Sequence, residues 1–151
     1  MKRQITQQES FFVAGIAVRT TNQMGRSMQD IGRLWTRFIT ENIRNQISNR
    51  YAEDIYCVYT DYETDHTGWY TTVLGCRVHE IANDGFFVAL LPSGNYRVYK
   101  PQGKQPDAVG KTWAEIWDDS ASRNYIADYD LYKAGASSLE ETEVEIYVGQ
   151  R

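Results

Sequence analysis

At 151 residues the chain is long enough to bury a core without disulfides or metal, and its 42% apolar and 24% charged content is ordinary for a globular protein. A net charge of −4, with basic residues scattered and no run longer than Lys2-Arg3, argues against direct nucleic-acid binding, which needs clustered cations to displace counterions. The longest apolar run, Phe11 to Val18, is too short to cross a bilayer and follows a polar start, so neither a membrane segment nor a signal peptide is expected and the chain reads as cytoplasmic.

In chain order, Phe11 to Arg19 reads as a short apolar strand. Met28 to about Ile47 reads as a helix, with Ile31, Leu34, Trp35, Phe38 and Ile39 at three- and four-residue spacing. Ile55 to Tyr62 and Trp69 to Val78 are β-branched and aromatic and read as strands, with His66-Thr67-Gly68 in the turn between them. Phe86 to Leu91, the turn Pro92-Ser93-Gly94-Asn95 and Tyr96 to Lys100 follow. A polar stretch from Pro101 to Asp107 leads into a second helix, Ala108 to Asp119. Two last strands, Ile126 to Lys133 and Thr142 to Gly149, are joined by Ala134-Gly135-Ala136-Ser137-Ser138.

The order strand, helix, strand, strand occurs twice, and local sequence agrees with it. Asp30-Ile31-Gly32-Arg33-Leu34-Trp35 aligns with Ala108-Val109-Gly110-Lys111-Thr112-Trp113, Tyr56-Cys57-Val58-Tyr59 with Tyr129-Asp130-Leu131-Tyr132, and Val73-Leu74-Gly75 with Tyr147-Val148-Gly149, at offsets of 78, 73 and 74 residues. The expected fold is therefore one α+β domain over residues 1–151. Its tandem β-α-β-β modules, about 1–80 and about 86–151, would be related by a pseudo-twofold axis and form a concave antiparallel sheet with helices packed on it. A cleft where two such modules meet is a common place for a ligand. Eleven Tyr and four Trp supply apolar surface with polar handles, which suits a pocket and also suits ordinary strands.

Strand alternation groups Val144, Ile146 and Val148 on one face and Glu143, Glu145 and Tyr147 on the other; it likewise separates Tyr129 and Leu131 from Asp128, Asp130 and Tyr132. The aliphatic sets are expected against the helices, so that acids of both strands share the surface facing away. Such a surface either faces water or, with Tyr132 and Tyr147 beside Asp130 and Glu145, serves a lipophilic cation. Cys57, Tyr59, Trp69, Thr71 and Val73 are the corresponding pocket-facing positions of the first module. Glu63 shares the parity of Tyr59, and it is a ligand contact or an ordinary turn acid. Trp113 and Trp117 reach the cleft rim or fill the core, and Trp35 is assigned to the core. Cys57 and Cys76 match no zinc spacing, the two histidines His66 and His79 sit near turns, and no metal or other cofactor is implied.

These residues resemble the GyrI-like effector-binding family: Val58-Tyr59-Thr60-Asp61-Tyr62-Glu63, Gly68-Trp69-Tyr70-Thr71, Trp113-Ala114-Glu115-Ile116-Trp117, Asp128-Tyr129-Asp130-Leu131-Tyr132 and Val144-Glu145-Ile146-Tyr147-Val148 occur in that family's order. The resemblance covers nearly the whole chain and implies the tandem fold. Family members stand alone or are fused to AraC-type or MerR-type DNA-binding domains, and the stand-alone form is expected here. The family usually has Glu where this chain has Asp130, and in multidrug-binding regulators that acid contacts cationic drugs. The shorter Asp implies a ligand that sits deeper or binds less tightly, and Glu145 matches a second acidic position.

The reading that follows is a sensor or sequestering protein for amphipathic, cationic small molecules, with a regulator protein as a further partner and no direct contact to nucleic acid or membrane. Its ligand-binding residues are Tyr59, Glu63, Trp69, Trp113, Asp130, Tyr132, Glu145 and Tyr147, and no catalytic residue is assigned. The alternatives are a hydrolase of strained cyclopropane-containing compounds, with Glu145 activating water and Tyr132 or Tyr147 donating to the leaving oxygen, and a protein inhibitor of the DNA gyrase type.

Overall fold

The structure is a computed structural model that describes residues 4–151; Lys2 and Arg3 lie outside the described residues. Eight strands and two α-helices follow one another as β1 (Gln4–Gln8), β2 (Phe11–Thr21), α1 (Arg26–Thr40), β3 (Ile55–Thr60), β4 (Trp69–Val78), β5 (Phe87–Leu91), β6 (Gly94–Tyr99), α2 (Asp107–Asp118), β7 (Arg123–Tyr132) and β8 (Val144–Gln150). All eight strands join one antiparallel sheet in the order β1-β6-β8-β7-β3-β4-β2-β5. This is the α+β fold expected from the sequence.

The order reads alike from both ends. β2-α1-β3-β4 forms one half and β6-α2-β7-β8 the other, joined where β3 pairs with β7. In that pairing Cys57 lies opposite Asp130, the two positions that align between the halves. The edge strands are exchanged: β5 pairs with β2, whereas β1 crosses to pair with β6.

The link from β1 to β2 is only Glu9-Ser10, yet the two strands stand six places apart. Flat, that separation would be about 29 Å, while three peptide steps reach only about 11 Å. The sheet must therefore curl, and it curls toward the face away from the helices. There Tyr129 Oη donates to Gln8 Oε1 at 2.6 Å, and Phe11 of β2 meets Tyr129 of β7 edge-on at 5.4 Å although two strands lie between them. Opposed Gly15 and Gly75 permit the close approach of β2 and β4, because a Cβ on either would lie inside the other strand's backbone.

Two cores result. On the helix side Leu34 and Phe38 of α1 and Val109, Trp113 and Ile116 of α2 pack on Ile16, Cys57, Leu74, Ile146 and Val148. On the other face Phe11, Val13, Tyr56, Val58, Val73, Leu91, Tyr96 and Tyr129 close the curl. The first helix is shorter than its periodicity predicts. It ends at Thr40 because Asn42 takes a left-handed conformation (φ 53°), and Ile43–Gln46 continue only as a 3₁₀ turn. Ile39, counted in the apolar stripe, is exposed. Strand β1 has no hydrophobic alternation and is not evident in the sequence; its pairing with β6 supplies its order.

Candidate functional site

Register decides what the strands present to the helices. Directly opposed residues of an antiparallel pair share a face. Asp130 pairs with Ile146, Asp128 with Val148 and Tyr132 with Val144, so these acids lie on the same face as the aliphatic stripe, beneath the helices. Tyr129 pairs with Tyr147 and Leu131 with Glu145, on the far side. The expectation that Asp130 and Glu145 share one surface is thus corrected: they project from opposite faces of the hairpin. The same rule separates Tyr59, opposite Thr72, from Trp69, Thr71 and Val73, which belong to the other parity of β4.

Between the first turns of α1 and the length of α2 lies a cavity of about 370 Å³. Ser27, Met28 and Ile31 form one wall, and Gly110, Trp113 and Trp117 the other. Tyr59 and Tyr70 rise from β3 and β4, and Tyr62, His66 and Arg123 close one end. The rings support one another: Tyr59 meets Trp113 edge-on at 5.2 Å and Tyr70 at 6.1 Å, and Tyr62 lies 5.6 Å from Tyr70.

Asp130 sits under this cavity, fully buried. Its carboxylate accepts from Tyr59 Oη at 2.6 Å and from Trp113 Nε1 at 2.9 Å, and no basic side chain pairs with it among the described residues. Loss of hydration outweighs the two donors and pushes its pKa up to about 7. Burial and then the Asp130 carboxylate hold the Tyr59 phenol well above its ordinary range, so Tyr59 is a donor at every physiological pH.

One pleat along, Asp128 is equally buried but fully engaged. Arg123 Nη2 donates to it at 2.8 Å, Tyr62 Oη at 2.6 Å and the Gly149 amide at 2.8 Å. A bulge in β7 between Arg123 and Asp128, with Tyr125 in the left-handed region (φ 54°), turns Arg123 inward. Its guanidinium lies 4.3 Å from the Tyr125 ring centroid and 5.6 Å from that of Trp113.

Of the residues expected at a binding site, the structure brings together Tyr59, Trp113 and Asp130. Tyr132 shares their face but is buried against Trp35 at 4.8 Å, in the core. Trp69, 37% exposed at the start of β4, carries the Arg26 guanidinium 5.1 Å above its ring and stands outside the cavity. Glu63 is exposed in the turn, its amide closing onto the Trp69 carbonyl at 2.8 Å. Glu145 accepts from Tyr147 at 2.9 Å and pairs with Lys133 at 3.4 Å, and Tyr147 stacks on Tyr129 at 4.6 Å. Sequence reasoning missed Tyr62, Tyr70, His66 and Arg123. The pairing of Tyr70 with Thr20 on the helix-side parity of β4 follows only from register, and Arg123 falls before the strand expected to begin at Ile126.

The family described as Cass2, integron-associated effector binding protein, matches residues 4–149. The chain belongs to this family. It is 27% identical over 142 residues, 89% of each chain, to YobU of Bacillus subtilis (strain 168), which is named as a candidate transcriptional regulator. An integron cassette protein from the mobile metagenome of Vibrio cholerae is 28% identical, with a TM-score of 0.77 over 98% of this chain and 95% of its own. SAV2435, solved bound to tetraphenylphosphonium, has the same fold, with a TM-score of 0.81 at 22% identity over 100% of this chain and 94% of its own. Membership agrees with the GyrI-like effector-binding resemblance. Among the described residues no helix is long and apolar enough to cross a membrane.

Proposed function

We propose that this chain binds lipophilic cations in the cavity between its two helices, as a sensor or sequestering protein linked to transcription regulation. The observation that carries this reading is Asp130: a buried carboxylate with no basic partner among the described residues, set beneath aromatic rings. A positive charge within the cavity offsets the cost of ionising that acid, and the rings add cation–π attraction. Tyr59 and Trp113 stand between the acid and the cavity. They donate to the carboxylate and line the cavity, so the short Asp acts through its neighbours rather than by direct contact. Glu145, with its own lysine, is outside this arrangement. Tetraphenylphosphonium in the related SAV2435 is a cation of the kind that such a cavity would take.

The test uses tetraphenylphosphonium and tetraphenylborate, which share shape and differ in sign. Fluorescence quenching of the cavity tryptophans should saturate with the cation and not with the anion. Asp130→Asn should weaken the cation by about tenfold, the effect of removing one charge-assisted interaction. Equal binding of both ions, or full affinity in the variant, would remove the acid from the account.

A further inference from the structure

The cation site leaves three polar atoms of its own cavity unexplained. Arg123 Nε, Arg123 Nη1 and His66 Nδ1 are buried with no hydrogen-bond partner among the described residues, and both residues line the cavity already described. Arg123 is only 1% exposed. Its Nη2 is used, toward Asp128 at 2.8 Å and Tyr62 Oη at 3.4 Å; the guanidinium lies against the rings of Tyr125, Trp113 and Tyr62, and none of their polar atoms pairs with Nε or Nη1. Buried donors are nearly always paired, so an unpaired group aimed into a cavity calls for an acceptor.

His66 adds a second polar atom in the same corner. Its ring stacks on Trp117 at 5.9 Å and 9°, and faces Tyr125 at 6.5 Å and 24°. Its position is fixed from outside, by Asn22 Nδ2 donating to the His66 carbonyl at 2.9 Å and by Thr67 donating to Asp65 in the same turn. Asn22 in turn accepts from Tyr70, so the His66 turn is tied to the cavity wall.

Charge selects the kind of acceptor. Asp128 already balances Arg123 at 2.8 Å, so the corner lacks a lone pair, not a negative charge. A carboxylate placed there would face Asp128 at close range, with Asp130 one pleat away, and like charges in a dry site are strongly unfavourable. We propose that this corner is a hydrogen-bonding subsite that selects ligands bearing a neutral carbonyl-type oxygen, with Arg123 as the donor and His66 as the second polar contact. The inference rests on the cation reading and adds to it: the ligand's positive centre lies by Tyr59 and Trp113, and its oxygen reaches toward Arg123.

Two probes test this directly. (4-Oxopentyl)triphenylphosphonium and (4-methylpent-4-enyl)triphenylphosphonium differ only in C=O against C=CH2. A site built to hydrogen-bond an oxygen penalises the analogue lacking it. Calorimetric titration of the wild-type protein should give the ketone an affinity about tenfold or more above the alkene. In Arg123→Lys, which keeps the charge opposite Asp128 but removes the planar donors, the ratio should collapse toward one. If thermal melting shows that this variant does not fold, His66→Phe keeps the ring stack, removes the nitrogens, and should also lower the ratio. Equal affinity of the two probes in the wild type overturns the subsite and leaves the cation site standing. Binding of neither overturns both.

Discussion

Asp130 and Glu145 belong to adjacent strands of one hairpin and look interchangeable in a sequence. Glu145 emerges on the far face, where Lys133 and, at 4.0 Å, Lys100 approach it. Asp130 emerges under the helices and meets only neutral donors. The first is an acid whose charge is already answered by two partly exposed lysines. The second is an acid whose charge is unanswered in a dry place. Two acids of one hairpin thus differ in whether a cationic side chain already answers them, and the face on which each emerges decides it.

Asp128 and Asp130 are the buried acids among the described residues, and Asp128 is the one that pairs with a cation. Asp128→Ala would leave Arg123 charged and alone beneath the cavity, and stability should fall by about 3–5 kcal/mol. A urea midpoint that hardly moves would mean that water reaches this floor and that the contrast between the two faces is illusory.

Proton linkage sharpens the comparison next. The pKa of Asp130 is raised, to about 7 in the folded chain against an ordinary 3.8. Between those values the unfolded chain has lost this proton and the folded chain keeps it. The contribution of Asp130 to stability therefore declines as pH climbs from about 4 to about 7 and is level above that. Cation binding runs the other way, since the ionised acid is the attractive form. Tetraphenylphosphonium affinity should rise about fivefold from pH 6 to pH 8, because the neutral acid keeps about a tenth of the affinity, and should be flat in Asp130→Asn. A pH profile identical in the two proteins would place the titrating group elsewhere.

The smallest effect belongs to Glu145→Gln. Its ion pairs are with exposed lysines, so the loss in stability should stay within about 1 kcal/mol. Tetraphenylphosphonium affinity should change by less than about twofold. A tenfold loss of cation binding in this variant would restore the far face as the site.

The sequence by itself determined more of the fold than of the site. Periodicity located both helices and most of the strands, and the alignment of Gly32 and Trp35 with Gly110 and Trp113 marked matching positions on α1 and α2. Parity also sorted β7 and β8 correctly into sets, because alternation is a local property of an extended chain. It singled out Tyr59, Trp113 and Asp130, which the cavity unites. What parity cannot say is which set of one strand lies beside which set of the next. That is fixed by register, and a shift of one residue exchanges the faces. Only the tertiary structure paired Asp130 with Ile146, carried Glu145 and Tyr147 to the far side, and used the bulge after Arg123 to turn a loop-like residue into the cavity. The reason is physical: a buried carboxylate among aliphatic residues is tolerated where Tyr59 and Trp113, from other elements, bring donors to it, and no local pattern records that meeting.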